Sequence, residues 1–168
     1  MIRKKKPDYA PRNFVYRWSE RSSLEKELRK PISYISLTIH REEWGPSAVT
    51  LWRANGQGLT VSSEANDVAL CLEIGVLRFR FRTRVDPGEV FLKTPGAFAR
   101  GTTPLKLLIK ESGTTAESGL ILTAPDGCQI FIVSGASPFT VAIRGDVDLT
   151  PEFNPEYPFD CYEKAAMN

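Results

Sequence analysis

The 168-residue chain is predicted to fold as one mainly β domain, an antiparallel sandwich or a partly open barrel of about eight or nine strands with one short N-terminal helix. Short apolar runs alternate with polar residues at a period of two along most of the chain. Clusters of Gly, Pro, Asn and Asp separate these runs, as turns do. With 42% hydrophobic and 25% charged residues, the composition is that of an ordinary globular protein with one buried core.

A short helix is predicted before the first strand. Ser22 and Glu25 have the spacing of a capping box, in which the two side chains satisfy free amides at the start of a helix. Basic residues near the end of the run suit the negative end of the helix dipole, and Pro31 stops it. We therefore expect a helix at about residues 22–30.

The first predicted strands follow this helix directly. Apolar and polar residues alternate over residues 35–39, as in a strand with one buried face. Residues 49–51 and 59–61 are apolar at alternate positions, and Asn55-Gly56 between them supplies the positive φ angles of a tight turn. We therefore expect a β-hairpin around Gly56.

Residues 68–85 do not fit one flat strand. The apolar side chains occupy even positions as far as Val76 and odd positions from Leu77, so one strand would turn half of them towards water. Two interpretations remain open: a bulge at Gly75 in one long bent strand, or a short helix over Glu64–Ile74 that Gly75 caps. We favour the bulge, because the segment contains two β-branched residues and no clear capping box.

The sequence pattern of the second half of the chain predicts further strands. A loop over Thr94–Pro104 is followed by an alternating strand, Leu105–Lys110. Leu120–Leu122 and Ile130–Val133 are apolar on both faces, so we expect them to form a central hairpin that is covered on both sides. A last strand is expected over residues 139–143.

The charge is unevenly distributed although the net charge is only +2. Residues 1–30 hold ten Lys or Arg against four Asp or Glu, and residues 146–168 hold one against six. We interpret the chain as a basic, aromatic N-terminal arm (1–21), a single β-rich domain that begins with the helix (22–148), and an extended, acidic and aromatic tail (149–168) packed on the domain.

The best binding candidate is an arginine ladder. Arg78, Arg80, Arg82 and Arg84 alternate with other residues, so a strand would place all four on one face at a spacing of about 6.6 Å. Such a row suits an extended anion, either a nucleic-acid strand or an acidic peptide. If each arginine neutralised one phosphate of a single strand, the logarithm of the affinity would fall with the logarithm of the salt concentration at a slope of about −2.8. The alternative is a solvated face whose arginines pair with acids on neighbouring strands.

The two ends of the chain supply the other binding candidates, which are Lys4, Lys5 and Lys6 in the arm and Phe153, Tyr157 and Phe159 in the tail. Basic residues near aromatic rings suit phosphates and stacked bases, but a basic arm that docks on the acidic tail needs no ligand. The aromatic residues of the tail predict either a docking strip for a partner or an intramolecular clasp over an open sheet face.

Little in the sequence indicates catalysis. His40 is the only histidine, and motifs for a serine nucleophile, a dinucleotide or a phosphate-binding loop are missing. Cys71, Cys128 and Cys161 are widely separated, so we expect reduced, mostly buried thiols and neither a disulfide framework nor a zinc site. No catalytic residue, metal or cofactor is predicted. Paired carboxylates remain the only enzymatic hypothesis.

These features predict a non-catalytic interaction protein, such as an adaptor, assembly subunit or inhibitor, that binds another protein through its segregated charges. Nucleic-acid binding through the ladder and the basic arm is the alternative, and an enzyme with an unrecognised carboxylate site is the third hypothesis. Because no secretory signal or apolar run of membrane-spanning length is apparent, we expect a cytoplasmic protein with no membrane partner. Self-association is left open.

Overall fold

The computed structural model describes residues 12–40, 45–69, 72–147 and 153–167. Two antiparallel sheets pack face to face, which confirms the predicted mainly β fold as a sandwich. The strands of these ranges are β1 (Arg12–Phe14), β2 (Tyr34–Ile39), β3 (Pro46–Trp52), β4 (Gly58–Ala69), β5 (Leu72–Arg82), β6 (Val90–Leu92), β7 (Thr103–Glu111), β8 (Thr114–Thr123), β9 (Gln129–Ser134), β10 (Val141–Gly145) and β11 (Glu163–Ala166). Their number exceeds eight or nine because β1, β6 and β11 are short strands that the sequence pattern does not reveal.

The two sheets have simple orders. Sheet A runs β10-β9-β8-β7-β11, and sheet B runs β5-β4-β3-β2-β6. Most neighbours are consecutive in sequence, as in a series of hairpins. The short strand β1 is an exception, since it lies parallel to the first residues of β8. The connection formed by residues 83–89 is another, because it joins the two opposite edges of sheet B.

Apolar residues of both sheets meet in one main core. Leu37 and Val49 of sheet B and Leu122 and Ile132 of sheet A are buried there together with Phe98. The opposite face of β8 and β9 is also apolar and belongs to a second cluster, which the C-terminal residues cover. The predicted central hairpin, covered on both sides, is therefore confirmed.

The helix is shorter than predicted. It comprises only α1 (Leu24–Leu28), and its N-cap is Ser23, whose hydroxyl accepts a hydrogen bond from the Lys26 amide at 3.5 Å. The Ser22 carbonyl is instead the acceptor for the Trp18 indole N–H, at 2.7 Å. The cap is thus one residue later than the capping box indicated, and Ser22 helps to hold the N-terminal segment.

Both interpretations of residues 68–85 are wrong. β4 continues to Ala69 and β5 begins at Leu72, so the segment belongs to two antiparallel strands, not to one bent strand or a helix. Gly75 pairs regularly with Ala65, and the register shift of this pair of strands lies between Asp67 and Ala69.

The apolar residues of β5 change from even to odd positions because the first part of the strand is buried on one face and the next part on the opposite face. Ile74 and Val76 pack in a third apolar cluster with Ala116 of sheet A. Leu77 and Phe79 point the other way, into the main core. A strand that is covered first on one face and then on the other needs no bulge to keep its apolar residues out of water.

The turns and loops agree with the sequence in part. The hairpin around Gly56 is confirmed, with Trp52 opposite Gly58 and a φ of 83° at Gly56. The predicted loop over residues 94–104 contains a 3₁₀ turn (Gly96–Arg100). The last predicted strand starts later, at Val141. Among the helices of the described ranges, none has the length and apolar character that crossing a bilayer requires.

Candidate anion-binding groove

The N-terminal segment of the described chain, residues 12–18, connects the two sheets. Its first residues form β1 and pair with β8 of sheet A. Further on, the Arg17 amide donates to the Leu77 carbonyl at 3.0 Å, and the Phe79 amide donates to the Arg17 carbonyl at 2.9 Å. The segment therefore covers part of the open edge of β5 with main-chain hydrogen bonds, which is one way in which proteins protect an edge strand.

A buried polar cluster anchors this segment to sheet A. The Tyr16 amide donates to the Glu117 carboxylate at 2.6 Å, and the Tyr16 hydroxyl donates to the Gly119 carbonyl at 2.5 Å. Lys106 completes the cluster, with its ammonium 2.5 Å from the same carboxylate. Burial, and secondarily the charge of Glu117, raise the pKa of Tyr16 well above its usual value, so the hydroxyl stays a hydrogen-bond donor.

An open groove of about 510 Å³ lies between this segment and β5. Residues 17–19 form one wall, and residues 78–80 form the other. Glu64 also lines the groove, where its carboxylate is 3.4 Å from the Arg17 guanidinium and 3.3 Å from that of Arg78. The Trp18 ring lies edge-on to Phe81 at a centroid distance of 5.2 Å and is only partly buried.

The four predicted ladder arginines do not form one continuous row. Arg78 and Arg80 are exposed in the groove, but the side chain of Arg82 is only 14% exposed. Arg82 forms ion pairs with Glu89 and with Asp86, the latter at 3.0 Å. For Arg82, the structure therefore shows the alternative interpretation, in which the arginine pairs with nearby acids and does not face a ligand.

A crossing connection explains why Arg82 is withdrawn from solvent. Residues 83–89 bring Glu89 onto the outer face of sheet B, where its carboxylate accepts from the Ser36 hydroxyl at 3.3 Å. The Glu89 side chain is 1% exposed, and the Arg82 guanidinium lies over the Trp52 ring at 5.4 Å. A buried carboxylate needs such a partner, so Arg82 is held by the fold.

The remaining predicted residues are at separate places. Arg84 is exposed in the connection after β5, beyond the residues that line the groove. Neither Arg84 nor Arg80 has an acidic ion-pair partner within the described ranges. The positions of Lys4, Lys5 and Lys6 fall outside the described residues.

The three aromatic residues of the tail do not line the groove but lie on the outer face of sheet A. Phe153, Tyr157 and Phe159 are partly buried against the second apolar cluster. Phe159 contacts Phe131 of β9 edge-on, at a centroid distance of 5.0 Å, and the Arg144 guanidinium lies 5.9 Å from the Phe159 ring. In this arrangement they cover the chain's own sheet, as predicted for an intramolecular clasp.

Sequence reasoning placed Arg17 and Trp18 in the basic, aromatic arm but singled out only Lys4, Lys5 and Lys6 there, and it did not select Glu64. Arg17-Trp18 is visible as a basic and aromatic pair, but nothing in the local pattern places it beside β5. The contact is between segments about sixty residues apart, and only the register of the N-terminal segment against β5 brings them together.

Groups that could support catalysis are few in the structure. His40 is exposed after the end of β2. Two carboxylates, Glu73 and Glu156, line a small cavity of about 140 Å³ that neither His40 nor a tryptophan lines. Among the described residues no group of three His, Cys, Asp or Glu side chains is placed to hold a metal ion. Cys128 is half-buried and Cys161 is exposed, so the expectation of mostly buried thiols is wrong for these two.

Comparison with known proteins found no matching family model, no matching curated protein and no matching solved structure. The groove and the chemistry of its side chains are therefore the basis on which a function can be proposed.

Proposed function

We propose that this chain is a non-catalytic interaction protein that binds an acidic partner protein in the groove between residues 17–19 and β5. The observation that carries this proposal is the convergence of Arg17, Arg78 and Arg80 from two distant segments on one open groove. Arginine side chains present several donors in a rigid fork and bind carboxylates well. We place the interaction in the cytoplasm, because the spacing of the cysteines suggests no disulfide framework.

The ion pairs already present in the groove indicate how a partner would be held. Glu64 occupies part of the donor capacity of Arg17 and Arg78, but both arginine side chains are about half exposed, at 46% and 51%. Ion pairs with this exposure contribute little to stability and exchange easily with other carboxylates. Arg80 needs no exchange, since none of the described acids pairs with it.

Glu64 also favours a protein over a nucleic acid. A nucleic-acid strand carries a negative charge at every nucleotide, so a strand lying in the groove would bring a phosphate close to this carboxylate. A protein partner can place its carboxylates opposite the arginines and a neutral or basic side chain opposite Glu64. Complementary placement of this kind is how charged groups provide specificity at protein interfaces.

Binding of a single-stranded nucleic acid is the second candidate, and Trp18 is the observation that favours it. A partly exposed indole beside Arg80 could stack on a base while the arginines bind phosphates. Because Arg82 is paired with acids and Arg84 lies beyond the groove, the arginines available to a strand are the three that line the groove, Arg17, Arg78 and Arg80. The expected slope of log affinity against log salt is then about −2.1, in place of −2.8.

Fluorescence anisotropy with two labelled probes distinguishes these candidates. One probe is a decamer of glutamate, and the other is a decamer of thymidylate. We expect the wild type to bind the glutamate peptide at low salt, R80A to weaken this binding about threefold to fivefold, and the triple variant R17A/R78A/R80A to abolish it. Arg29→Ala is the matched control, because Arg29 is exposed on the helix side and pairs only locally, with Glu25.

The same titrations can contradict the proposal. If only the oligonucleotide binds, with a slope near −2.1 that R80A reduces by about 0.7, the protein binds nucleic acid and not an acidic protein. If R29A weakens peptide binding as much as R80A does, the attraction is a general effect of net charge. If neither probe binds at low salt, the groove does not bind acidic macromolecules.

A further inference from the structure

The C-terminal strap, defined here as residues 153–162, is held to the sandwich at two ends. Its far end continues into β11, which pairs with β7. Its near end is attached to the turn between β9 and β10, where the Ala136 amide donates to the Asn154 carbonyl at 2.9 Å and the Glu156 amide donates to the Ser134 carbonyl at 2.8 Å. Between these ends the strap lays its aromatic side chains on the outer face of sheet A.

One side chain of the strap reaches the other sheet. Both carboxylate oxygens of Glu156 accept from the Gly75 amide of β5, at 3.1 and 3.0 Å. This amide points away from β4, towards the open edge of β5. Arg17 covers the same edge two residues further along β5, at Leu77. Glu156 therefore fastens the near end of the strap to the edge of sheet B.

The surroundings of Glu156 disfavour its charged form. The small cavity around it is lined by a second carboxylate, Glu73, and by no Lys, Arg or His residue. Ser63 and Ser134 lie close by, but their hydroxyls are bonded to each other at 2.8 Å. A carboxylate that is partly buried without a cation is costly to ionise.

The titratable groups that face Glu156 lie in β5 and in the strap itself. Glu73 faces it from β5, and the turn from Gly135 to Phe139 on the side of sheet A carries no charge. From the strap itself, Tyr157 and Tyr162 face it, and both stay neutral because burial raises their pKa values, that of Tyr157 to about 12.

We propose that the strap is a charge-gated cover: when Glu156 becomes ionised, residues 153–158 separate from sheet A and expose the apolar face under Phe153 and Tyr157. β11 stays paired with β7 and acts as the hinge side. This device is independent of the groove, and it would let the protein present a second, apolar surface only under conditions in which Glu156 is charged.

The direction of the pH dependence follows from the environment of the group. Burial raises the pKa of Glu156 from 4.5 to about 7; the Gly75 amide opposes this shift, and the charge of Glu73 adds to it. The closed form therefore holds a proton that the open form releases, and closure is lost as the pH rises through about 7. With these two pKa values, the open-to-closed ratio increases about tenfold between pH 6 and pH 8.

Native-state hydrogen exchange tests this device on the full chain. The reporters are the amides of Ala136 and Glu156, whose acceptors belong to the closed strap contact. After correction for the intrinsic pH dependence of amide exchange, we expect their protection to fall about tenfold from pH 6 to pH 8, while amides in the middle of β8 and β9 keep theirs.

Three variants make the test specific. Glu156→Gln preserves an acceptor for the Gly75 amide but cannot ionise, so its strap protection should be independent of pH. Glu73→Gln should reduce the pH dependence without removing it. Glu163→Gln is the matched control: this carboxylate is in the same tail, is 58% exposed and pairs with Lys110, so the tenfold change should persist.

The outcomes separate gating from its alternatives. Strap protection that is constant in the wild type from pH 6 to pH 8 overturns the proposal, as does a tenfold change that persists in Glu156→Gln. A loss of protection that is equal in the strap and in the centre of β8 shows that the whole domain loosens, which also contradicts a local cover.

Discussion

Replacing Lys106 with methionine is expected to lower the free energy of unfolding by about 3–5 kcal/mol. Lys106 and Glu117 form a pair whose side chains are only 10% and 11% exposed. Methionine fills a similar volume but leaves the Glu117 carboxylate buried with no cation, and the carboxylate must then lose either its charge or its burial. Urea unfolding of both proteins at pH 7 gives the difference.

A double variant shows whether the charge or the packing is responsible. Lys106→Met combined with Glu117→Gln removes both charges, and the glutamine oxygen can still accept from the Tyr16 amide. We expect the double variant to recover most of the stability that Lys106→Met loses. If the single variant loses less than about 1 kcal/mol, the pair is solvated in solution and does not anchor the N-terminal segment.

Gly75→Ala is expected to destabilise the protein by about 2–3 kcal/mol, because there is no space for a methyl group at this position. A Cβ atom on Gly75 would lie 2.3 Å from the hydroxyl oxygen of Ser134 and 2.7 Å from that of Ser63. Both serines are buried, and their mutual hydrogen bond would have to break or move. Thermal or urea unfolding gives the magnitude.

Gly96→Ala is the matched control for this variant. No atom lies within 4 Å of a Cβ built on Gly96, and its backbone does not require a positive φ, so the change should be close to neutral. Ser134→Gly in the Gly75→Ala background removes the obstructing side chain and should restore part of the loss. Equal effects of the two glycine variants would show that crowding at Gly75 is not the cause.

The elements that the sequence predicts correctly are those whose signals are local. The hairpin around Gly56 depends on two adjacent turn residues, and the alternation over residues 35–39 depends on one buried face. The central hairpin of β8 and β9 is recognisable because both of its faces are apolar. In each case the pattern lies within one short, continuous stretch of the chain.

The incorrect predictions depend on what packs against a segment. The phase change near Gly75 has the appearance of a bulge as long as only one face of β5 is assumed to be buried. Its other face is covered by Ala116, which lies in a different sheet. Such a contact leaves no trace in the periodicity of residues 68–85, so the sequence cannot distinguish a second buried face from a bent strand.

The candidate site could be predicted only in part for the same reason. Arg78 and Arg80 are found from their alternation, but Arg82 has an identical pattern and is buried by the connection over sheet B. Arg17 enters the groove through main-chain bonds to Leu77 and Phe79, which no spacing in the sequence encodes. Whether an arginine is available to a ligand is decided by tertiary contacts.

The attachment of residues 12–18 also determines the order in which the sandwich can be completed. This segment leaves the ribosome before the rest of the described chain, yet the residues that hold it are in β5 and β8, and Tyr16 is 101 positions from its acceptor Glu117. Until β8 has been synthesised, the segment has no docking place on sheet A. Contacts over such distances form slowly, and uncovered strand edges promote association. A nascent chain that stops before β8 can therefore form only the bonds of this segment to β5, and it lacks the contacts that anchor the segment to sheet A.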